Sequence, residues 1–131
     1  MTEEPTARAS GKRTVLVLDD DDALRRTIRR LLELYDYTVL EAAQAHAAIE
    51  VVTEHTGPID LILCDLVLPG LGGREAASTL MARRPEAKVL YMSGYSSAGS
   101  FRSDLEHTAP DFLAKPFEVQ QLLDAIAKAL G

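Results

Sequence analysis

Residues 15–22 read Val-Leu-Val-Leu-Asp-Asp-Asp-Asp, an apolar run that passes directly into four aspartates. Continuous apolar residues predict a strand buried on both faces, because a half-exposed strand would alternate apolar and polar residues. The aspartates mark the end of that strand, and Asp21 or Asp22 is placed to cap a following helix. A buried strand, an acidic turn and a helix together form the first unit of an α/β fold.

Similar short apolar runs recur along the chain, separated by segments with the 3.6-residue apolar period of a helix. The other runs are residues 38–40, 59–64, 89–92 and 112–114, and the helical segments are residues 24–35, 45–52, 76–81, 98–105 and 119–130. This alternation predicts a (βα)5 doubly wound, five-stranded parallel sheet of order 2-1-3-4-5, the flavodoxin-like arrangement. Residues 1–13 show no such pattern, so we expect a flexible leader followed by one domain at residues 14–131.

The composition indicates a soluble globular domain. Of the 131 residues, 47% are hydrophobic and 26% are charged, and the net charge is −6. An acidic surface argues against direct nucleic-acid binding, and no stretch approaches the roughly 20 apolar residues needed to span a membrane. The single Cys64 cannot form an internal disulfide, so we expect a cytoplasmic protein in which Cys64 is a small buried hydrophobe.

Polar residues follow four of the predicted strands: Asp19 and Asp20 the first, Asp65 the third, Ser93 the fourth and Lys115 the fifth. Ligands of doubly wound sheets bind beyond the carboxyl ends of the strands, where strands 1 and 3 are neighbours, so the three carboxylates should converge. Their repulsion calls for a hard divalent cation such as Mg²⁺. Together with a lysine and a hydroxyl, this set suits phosphoryl transfer to an aspartate, with the cationic groups neutralising the phosphoryl oxygens.

Other chemistries lack their characteristic residues. No histidine stands in a recognisable position to act as a base for Ser93, and no glycine-rich phosphate loop follows strand 1. A small Mg²⁺-dependent phosphohydrolase with an aspartate nucleophile remains an alternative, but such enzymes usually carry the nucleophile after strand 1 and a cap that no insertion here could form. A flavodoxin-like cofactor module would need a phosphate-binding loop where Asp19 to Asp22 stand.

Four strings, each at a predicted strand end, are together highly specific. They are residues 15–21 (VLVLDDD), 63–69 (LCDLVLP) with Gly73, 91–95 (YMSGY) and 112–117 (FLAKPF). From Thr14 to Leu130 the chain resembles the receiver domain of bacterial two-component response regulators, of the chemotaxis-regulator kind. One departure is Gly72, which stands at a commonly acidic position, so two consecutive glycines could loosen the start of the third helix.

The resemblance implies a role for each acidic residue. Asp65 would be the phosphoacceptor. Asp20, Asp65 and the backbone carbonyl of Val67 would ligate Mg²⁺, and Asp19 would act largely through metal-bound water.

The resemblance also implies a switch. Ser93 would bond a phosphoryl oxygen and Lys115 would pair with Asp65 or its phosphate, across a Lys115–Pro116 bond that is typically cis in this family. Ser93 would then move toward the phosphate and Phe112 would turn inward behind it. This is a population shift driven by one added charge.

The implied function is that of a phosphoacceptor signalling switch of a two-component system or phosphorelay, not of an enzyme. The phosphoryl donor would be a histidine kinase or a histidine phosphotransfer protein, and the face made by helix 4, strand 5 and helix 5 would control a downstream protein. We expect a monomer or weak dimer that contacts no nucleic acid or membrane.

Three questions stay open at the level of sequence. Because the chain ends at Gly131, we expect no DNA-binding output domain, and we expect either a single-domain regulator or the receiver of a hybrid sensor histidine kinase. A degenerate receiver that serves only as a fixed binding surface is a further alternative. The arginines of the first helix are interpreted as a solvated face, although they could instead help to dock a phosphotransfer helix; they are Arg25, Arg26, Arg29 and Arg30.

Overall fold

The computed structural model describes residues 12–68, 70, 72–93 and 112–131. Its five strands form one parallel sheet of order β2-β1-β3-β4-β5, which confirms the predicted topology. The strands are β1 (Thr14–Leu18), β2 (Thr38–Ala42), β3 (Leu61–Asp65), β4 (Lys88–Ser93) and β5 (Phe112–Ala114).

Four of the five predicted helices fall within the described residues. They are α1 (Asp22–Leu34), α2 (Ala45–Glu54), α3 (Gly73–Arg83) and the C-terminal helix (Val119–Leu130). The helix predicted at residues 98–105 and most of the predicted leader lie outside the described part of the chain. None of the helices described is both long and apolar enough to cross a membrane.

The apolar runs are continuous because each face of the sheet packs against its own layer of helices. Alternate residues of β1 belong to different cores: Val15 and Val17 pack with residues of α1 and the C-terminal helix, and Leu16 and Leu18 pack with residues of α2 and α3. All four side chains are fully buried. Burial on both faces is the arrangement that parallel sheets require.

The ends of β3 and β4 differ by a residue or two from the predicted runs, and the difference matters for the site. The strand β3 begins at Leu61 rather than at Ile59, whose N–H is bound by the Glu86 carboxylate at 3.1 Å. Asp65 and Ser93 are the last residues of their strands rather than the first residues after them. Both are therefore held by the sheet itself.

Helix α1 starts as the sequence predicts. Asp21 is its N-cap, and the Asp21 carboxylate accepts a hydrogen bond from the N–H of Leu24 at 3.1 Å. The cap fixes the turn that carries the aspartates between β1 and α1, because it satisfies a backbone donor that the first helical turn would leave unpaired.

Candidate functional site

The carboxylates of Asp19, Asp20 and Asp65 come together at the carboxyl ends of β1 and β3. Leu18 pairs with Cys64 in the parallel register. The residues that follow this pair are Asp19, just after β1, and Asp65, at the end of β3, so these two aspartates lie side by side. One carboxylate oxygen from each of the three aspartates lies within 4.8 Å of the others. Asp19 and Asp65 are buried and Asp20 is exposed, so the cluster opens to solvent on the side of Asp20.

Lys115 reaches this cluster from the far edge of the sheet. It follows β5, and its backbone N–H donates to the carbonyl oxygen of Ser93 at 2.7 Å. Its Nζ lies 2.8 Å from Asp19 Oδ2 and 3.3 Å from Asp65 Oδ2. The Lys115–Pro116 bond is cis, as the resemblance implies. One ammonium group therefore bridges the aspartates at the ends of β1 and β3.

The charges in the cluster are unbalanced. Burial raises the pKa of Asp65 above its ordinary value, and the neighbouring Asp19 raises it further, although Lys115 opposes both effects. Burial lowers the pKa of Lys115, but its hydrogen bond to Asp19 and the charges of both aspartates outweigh burial, so the pKa of Lys115 is raised. Lys115 is thus held protonated. Among the described residues of the cluster, three carboxylates face one ammonium, which leaves an excess of negative charge.

The residues of this cluster fit a hard divalent cation. All the side-chain ligands are carboxylate oxygens, the donors that Mg²⁺ prefers, and the exposed Asp20 gives access from solvent. The two oxygens of Asp19 already accept hydrogen bonds, from Lys115 at 2.8 Å and from the Asp21 N–H at 2.8 Å. That Asp19 assists a cation less directly than Asp20 remains a prediction. The N–H of Val67 lies 3.3 Å from Asp65 Oδ1, and ligation by the Val67 carbonyl remains a prediction.

A Mg²⁺ site would link metal concentration to stability. We expect Mg²⁺ at ten times its dissociation constant to stabilise the folded chain by about 1.4 kcal/mol. The variant Asp20→Asn should lose most of this gain, because it removes the exposed ligand. The variant Asp124→Asn removes an exposed carboxylate from the C-terminal helix and should keep the gain. Thermal unfolding with and without Mg²⁺ measures the effect, and equal gains in both variants would contradict the assignment of Asp20.

Ser93 and Phe112, the residues of the predicted switch, lie on the neighbouring strands β4 and β5. Ser93 is fully buried at the end of β4, between the strand that carries Asp65 and the strand that precedes Lys115. Phe112 begins β5, pairs with Tyr91 and is partly exposed. An inward rotation of Phe112 remains a prediction.

Cys64 is a buried structural residue, as predicted. Its Sγ lies 3.4 Å from the carbonyl oxygen of Asp65 and 3.5 Å from that of Gly73. Burial, reinforced by the charges of Asp65 and Asp19, raises the pKa of Cys64 to about 12. The thiol is therefore neutral at physiological pH and is not a nucleophile.

One structural requirement beside Asp65 is not evident from the sequence pattern. A Cβ at Gly73 would lie 2.2 Å from the carbonyl oxygen of Asp65 and 2.6 Å from the Cα of Leu66. The start of α3 therefore packs directly on the backbone of the predicted phosphoacceptor. The only sequence signal was the presence of Gly73 in the family pattern, which gave no physical reason for it.

The interpretation of the α1 arginines as a solvated face is wrong for Arg25. Its side chain is only 11% exposed, and its guanidinium contacts Glu41, Asp22 and the backbone carbonyl of Asp19. Arg25 turns inward because β2 brings the Glu41 carboxylate beside α1. The remaining three arginines of the group, which include Arg29, are exposed as predicted.

Comparisons with known proteins agree with this geometry. Residues 15–127 match the family model described as the response regulator receiver domain. The chain is 33% identical over 127 residues to the sensor kinase CckA of Brucella abortus, which is 97% of this chain and 13% of that protein. It is 30% identical to the chemotaxis protein CheY of Listeria monocytogenes, over 88% of this chain and 96% of that protein.

A solved structure of a Burkholderia pseudomallei response regulator, described with a phosphorylated aspartic acid, a calcium ion and citrate, is 28% identical to this chain. It superimposes with a TM-score of 0.72 over 87% of this chain and 66% of that chain. The chain spans less than a third of several curated relatives that it matches, including the sensor kinase.

Proposed function

Because this chain belongs to the response regulator receiver domain family, we propose that Asp65 accepts a phosphoryl group from a phosphohistidine donor, with Mg²⁺ bound beside it. Receiver domains are phosphoacceptor signalling switches and not, in general, enzymes. The observation that carries the finer proposal is the contact of one Lys115 ammonium with both Asp19 and Asp65, beside the exposed carboxylate of Asp20. The proposed domain is residues 14–131, after a leader at residues 1–13.

Asp65 supplies the nucleophile in this proposal. One of its carboxylate oxygens bonds to phosphorus while the bond from phosphorus to the histidine nitrogen of the donor breaks, and the electron pair of that bond stays on the nitrogen. Mg²⁺ would be held by Asp20, Asp65 and the Val67 carbonyl, with Asp19 acting through water, and it would supply positive charge near the phosphoryl oxygens. The Burkholderia structure, which is described with both a phosphorylated aspartic acid and a calcium ion, supports this assignment.

Lys115 and Ser93 would bind the transferred phosphoryl group and neutralise part of its charge. The pKa of Lys115 is raised, so its ammonium is available to pair with the new phosphoryl oxygens as it pairs now with Asp65. The Ser93 hydroxyl would donate to one phosphoryl oxygen, because Ser93 ends the strand next to that of Asp65. The phosphoryl charge would thus be shared between this chain and the cation.

The proposed output is a change in the face made by the helix predicted at residues 98–105, β5 and the C-terminal helix. Phe112 on β5 and the C-terminal helix, with Val119 42% exposed, form the described part of that face. Phosphorylation would draw Ser93 toward the phosphate and let Phe112 turn inward, so that a downstream protein binds this face differently.

The proposed donor is a histidine kinase or a histidine phosphotransfer protein, and the proposed compartment is the cytoplasm. The match to CheY over nearly the whole of that protein supports a single-domain regulator. The match to a sensor kinase supports the alternative, the receiver of a hybrid kinase. A monomer or weak dimer remains the proposed state in solution.

Removing Lys115 should slow phosphoryl uptake and strengthen cation binding. We expect Lys115→Met to lower the rate of phosphorylation by acetyl phosphate about a hundredfold, because one preorganised charge is lost from the transferring group. Mg²⁺ should bind more tightly, because the competing ammonium is gone. Lys128→Met, on the exposed face of the C-terminal helix, is the control. Quantitative intact-mass time courses measure the rate, and a Lys115→Met rate equal to that of the control would refute this role.

A further inference from the structure

The guanidinium of Arg25 contacts the residue after β1, the first residue of its own helix α1, and a residue of β2. Its Nη1 donates to the backbone carbonyl of Asp19 at 2.8 Å, its Nη2 lies 2.8 Å from Asp22 Oδ1, and its Nε lies 3.0 Å from Glu41 Oε1. The side chain is 11% exposed and that of Glu41 is 19% exposed. A planar guanidinium held by three acceptors in a partly buried setting has little freedom to move.

These contacts lie on either side, along the chain, of Asp20, the exposed aspartate of the candidate cation site. Asp19 and Asp22 flank Asp20 and Asp21, and the same guanidinium holds both flanking residues. Asp21 is held separately, because its carboxylate caps α1 and its N–H donates to the Asp19 carboxylate. Arg25 thus contacts the backbone on the β1 side of Asp20 directly, through the Asp19 carbonyl, and contacts the α1 side through Asp22, whose side chain is 63% exposed. Glu41 of β2 holds the guanidinium in this place.

We propose that Arg25 is a positioning residue, which holds the Asp19–Asp22 turn so that a carboxylate oxygen of Asp20 stays within 4.8 Å of one from Asp65, where both could ligate a divalent cation. The inference rests on the proposed Mg²⁺ site. Groups that orient metal ligands without touching the metal commonly change metal affinity by about tenfold or more when they are removed.

Removal of Arg25 has two possible effects on Mg²⁺ affinity, and they have opposite signs, so the experiment distinguishes a positioning role from a simple effect of charge. Loss of a positive charge near three carboxylates should by itself strengthen cation binding. Loss of the contacts that Arg25 makes with Asp19, Asp22 and Glu41 should weaken cation binding. Arg29 offers a matched control, because it also pairs with Glu41, at 2.7 Å, and its other described ion pair is with Glu33 rather than with the acidic turn. Replacing Arg25 or Arg29 by Gln changes the net charge equally.

The experiment is calorimetric titration of MgCl₂ into the wild-type chain, Arg25→Gln and Arg29→Gln, with circular dichroism and thermal unfolding as checks of folding. We expect Arg25→Gln to bind Mg²⁺ about tenfold more weakly than the wild type. Arg29→Gln should bind Mg²⁺ as tightly as the wild type or slightly more tightly. If Arg25→Gln does not fold, Arg25→Lys decides instead, because it keeps the charge but a single ammonium cannot replace the three-way contact.

Mg²⁺ affinity in Arg25→Gln that equals or exceeds that in Arg29→Gln would overturn the positioning role while leaving the metal site intact. If Arg25→Gln does not fold, a folded Arg25→Lys that binds Mg²⁺ as tightly as the wild type would also overturn the positioning role. A wild-type chain that binds no Mg²⁺ would instead overturn the proposed metal site, and the role of Arg25 with it. Weaker binding confined to the Arg25 variants supports the proposal.

Discussion

Asp65→Asn should take up no phosphoryl group from acetyl phosphate under conditions in which the wild-type chain takes up one. The amide has no anionic oxygen to attack phosphorus. Of the two other carboxylates in the described cluster, Asp19 already accepts hydrogen bonds from Lys115 and from the backbone, and Asp20 is a proposed ligand of the cation. Intact-protein mass spectrometry reads the result directly. Asp36→Asn, an exposed aspartate after α1, is the control and should be labelled like the wild type. A phosphorylated Asp65→Asn protein would show that another residue is the acceptor.

The same variant should be more stable than the wild type in the absence of Mg²⁺. The pKa of Asp65 is raised on folding, mainly by burial, so its negative charge opposes folding at neutral pH. The amide carries no such charge. The gain in stability of Asp65→Asn over the wild type should be complete at pH values above the folded-state pKa of Asp65. It should disappear as the pH falls through that pKa to the ordinary aspartate value, where the wild-type carboxyl is also neutral. Urea unfolding across this pH range tests the sign, and a gain that grows toward acid pH would contradict it.

Gly73→Ala should destabilise the fold by about 3 kcal/mol, the upper range for an overpacked site. The added Cβ would lie 2.2 Å from the Asp65 carbonyl oxygen, with Leu66 Cα and carbonyl carbon at 2.6 Å and 2.9 Å. These are backbone atoms, so relief requires α3 to move away from the end of β3. For a domain of this size, the melting temperature should fall by roughly 10 °C.

Gly72→Ala is the control one residue earlier. There the added Cβ meets only the end of the Glu75 side chain, at 3.3 Å, which can rotate away. Because Gly72 is the N-cap of α3, the substitution should still cost up to about 1 kcal/mol. Chemical denaturation of the two variants compares them, and equal destabilisation would mean that the close approach at Gly73 is not what constrains this position.

Much of the fold follows from local pattern. The run Val15 to Leu18 predicts a strand buried on both faces because each residue faces one of two helical layers, and the structure confirms this. Right-handed crossovers then limit the possible topologies, and the small doubly wound order 2-1-3-4-5 is the natural candidate for five strands. The strand ends were less well predicted, because apolarity at Ile59 continues past the point where neighbouring strands pair.

The convergence of the site was predictable for the same reason. Once β1 and β3 are neighbours, Asp19 and Asp65 must lie side by side at their carboxyl ends. The contact of Lys115 with both is less evident from sequence, because it depends on a side chain that extends from β5 past the end of β4.

Arg25 and Gly73 show what local pattern leaves out. The partner that draws Arg25 inward, Glu41, is sixteen residues away and reaches α1 only because it lies opposite Val17 in the parallel pairing of β1 with β2. The need for glycine at position 73 arises from the path of the backbone at Asp65. Both are consequences of tertiary packing, which periodicity along the chain does not encode.

The central claim is that Asp65 is a Mg²⁺-dependent phosphoacceptor. The most direct test incubates the wild-type chain with acetyl phosphate, with Mg²⁺ or with a chelator, measures the intact mass, and locates the label by borohydride reduction of the acyl phosphate and peptide mapping. We predict one phosphoryl group, incorporated only with Mg²⁺ and located at Asp65. Label at another residue, or equal incorporation without Mg²⁺, would contradict the account.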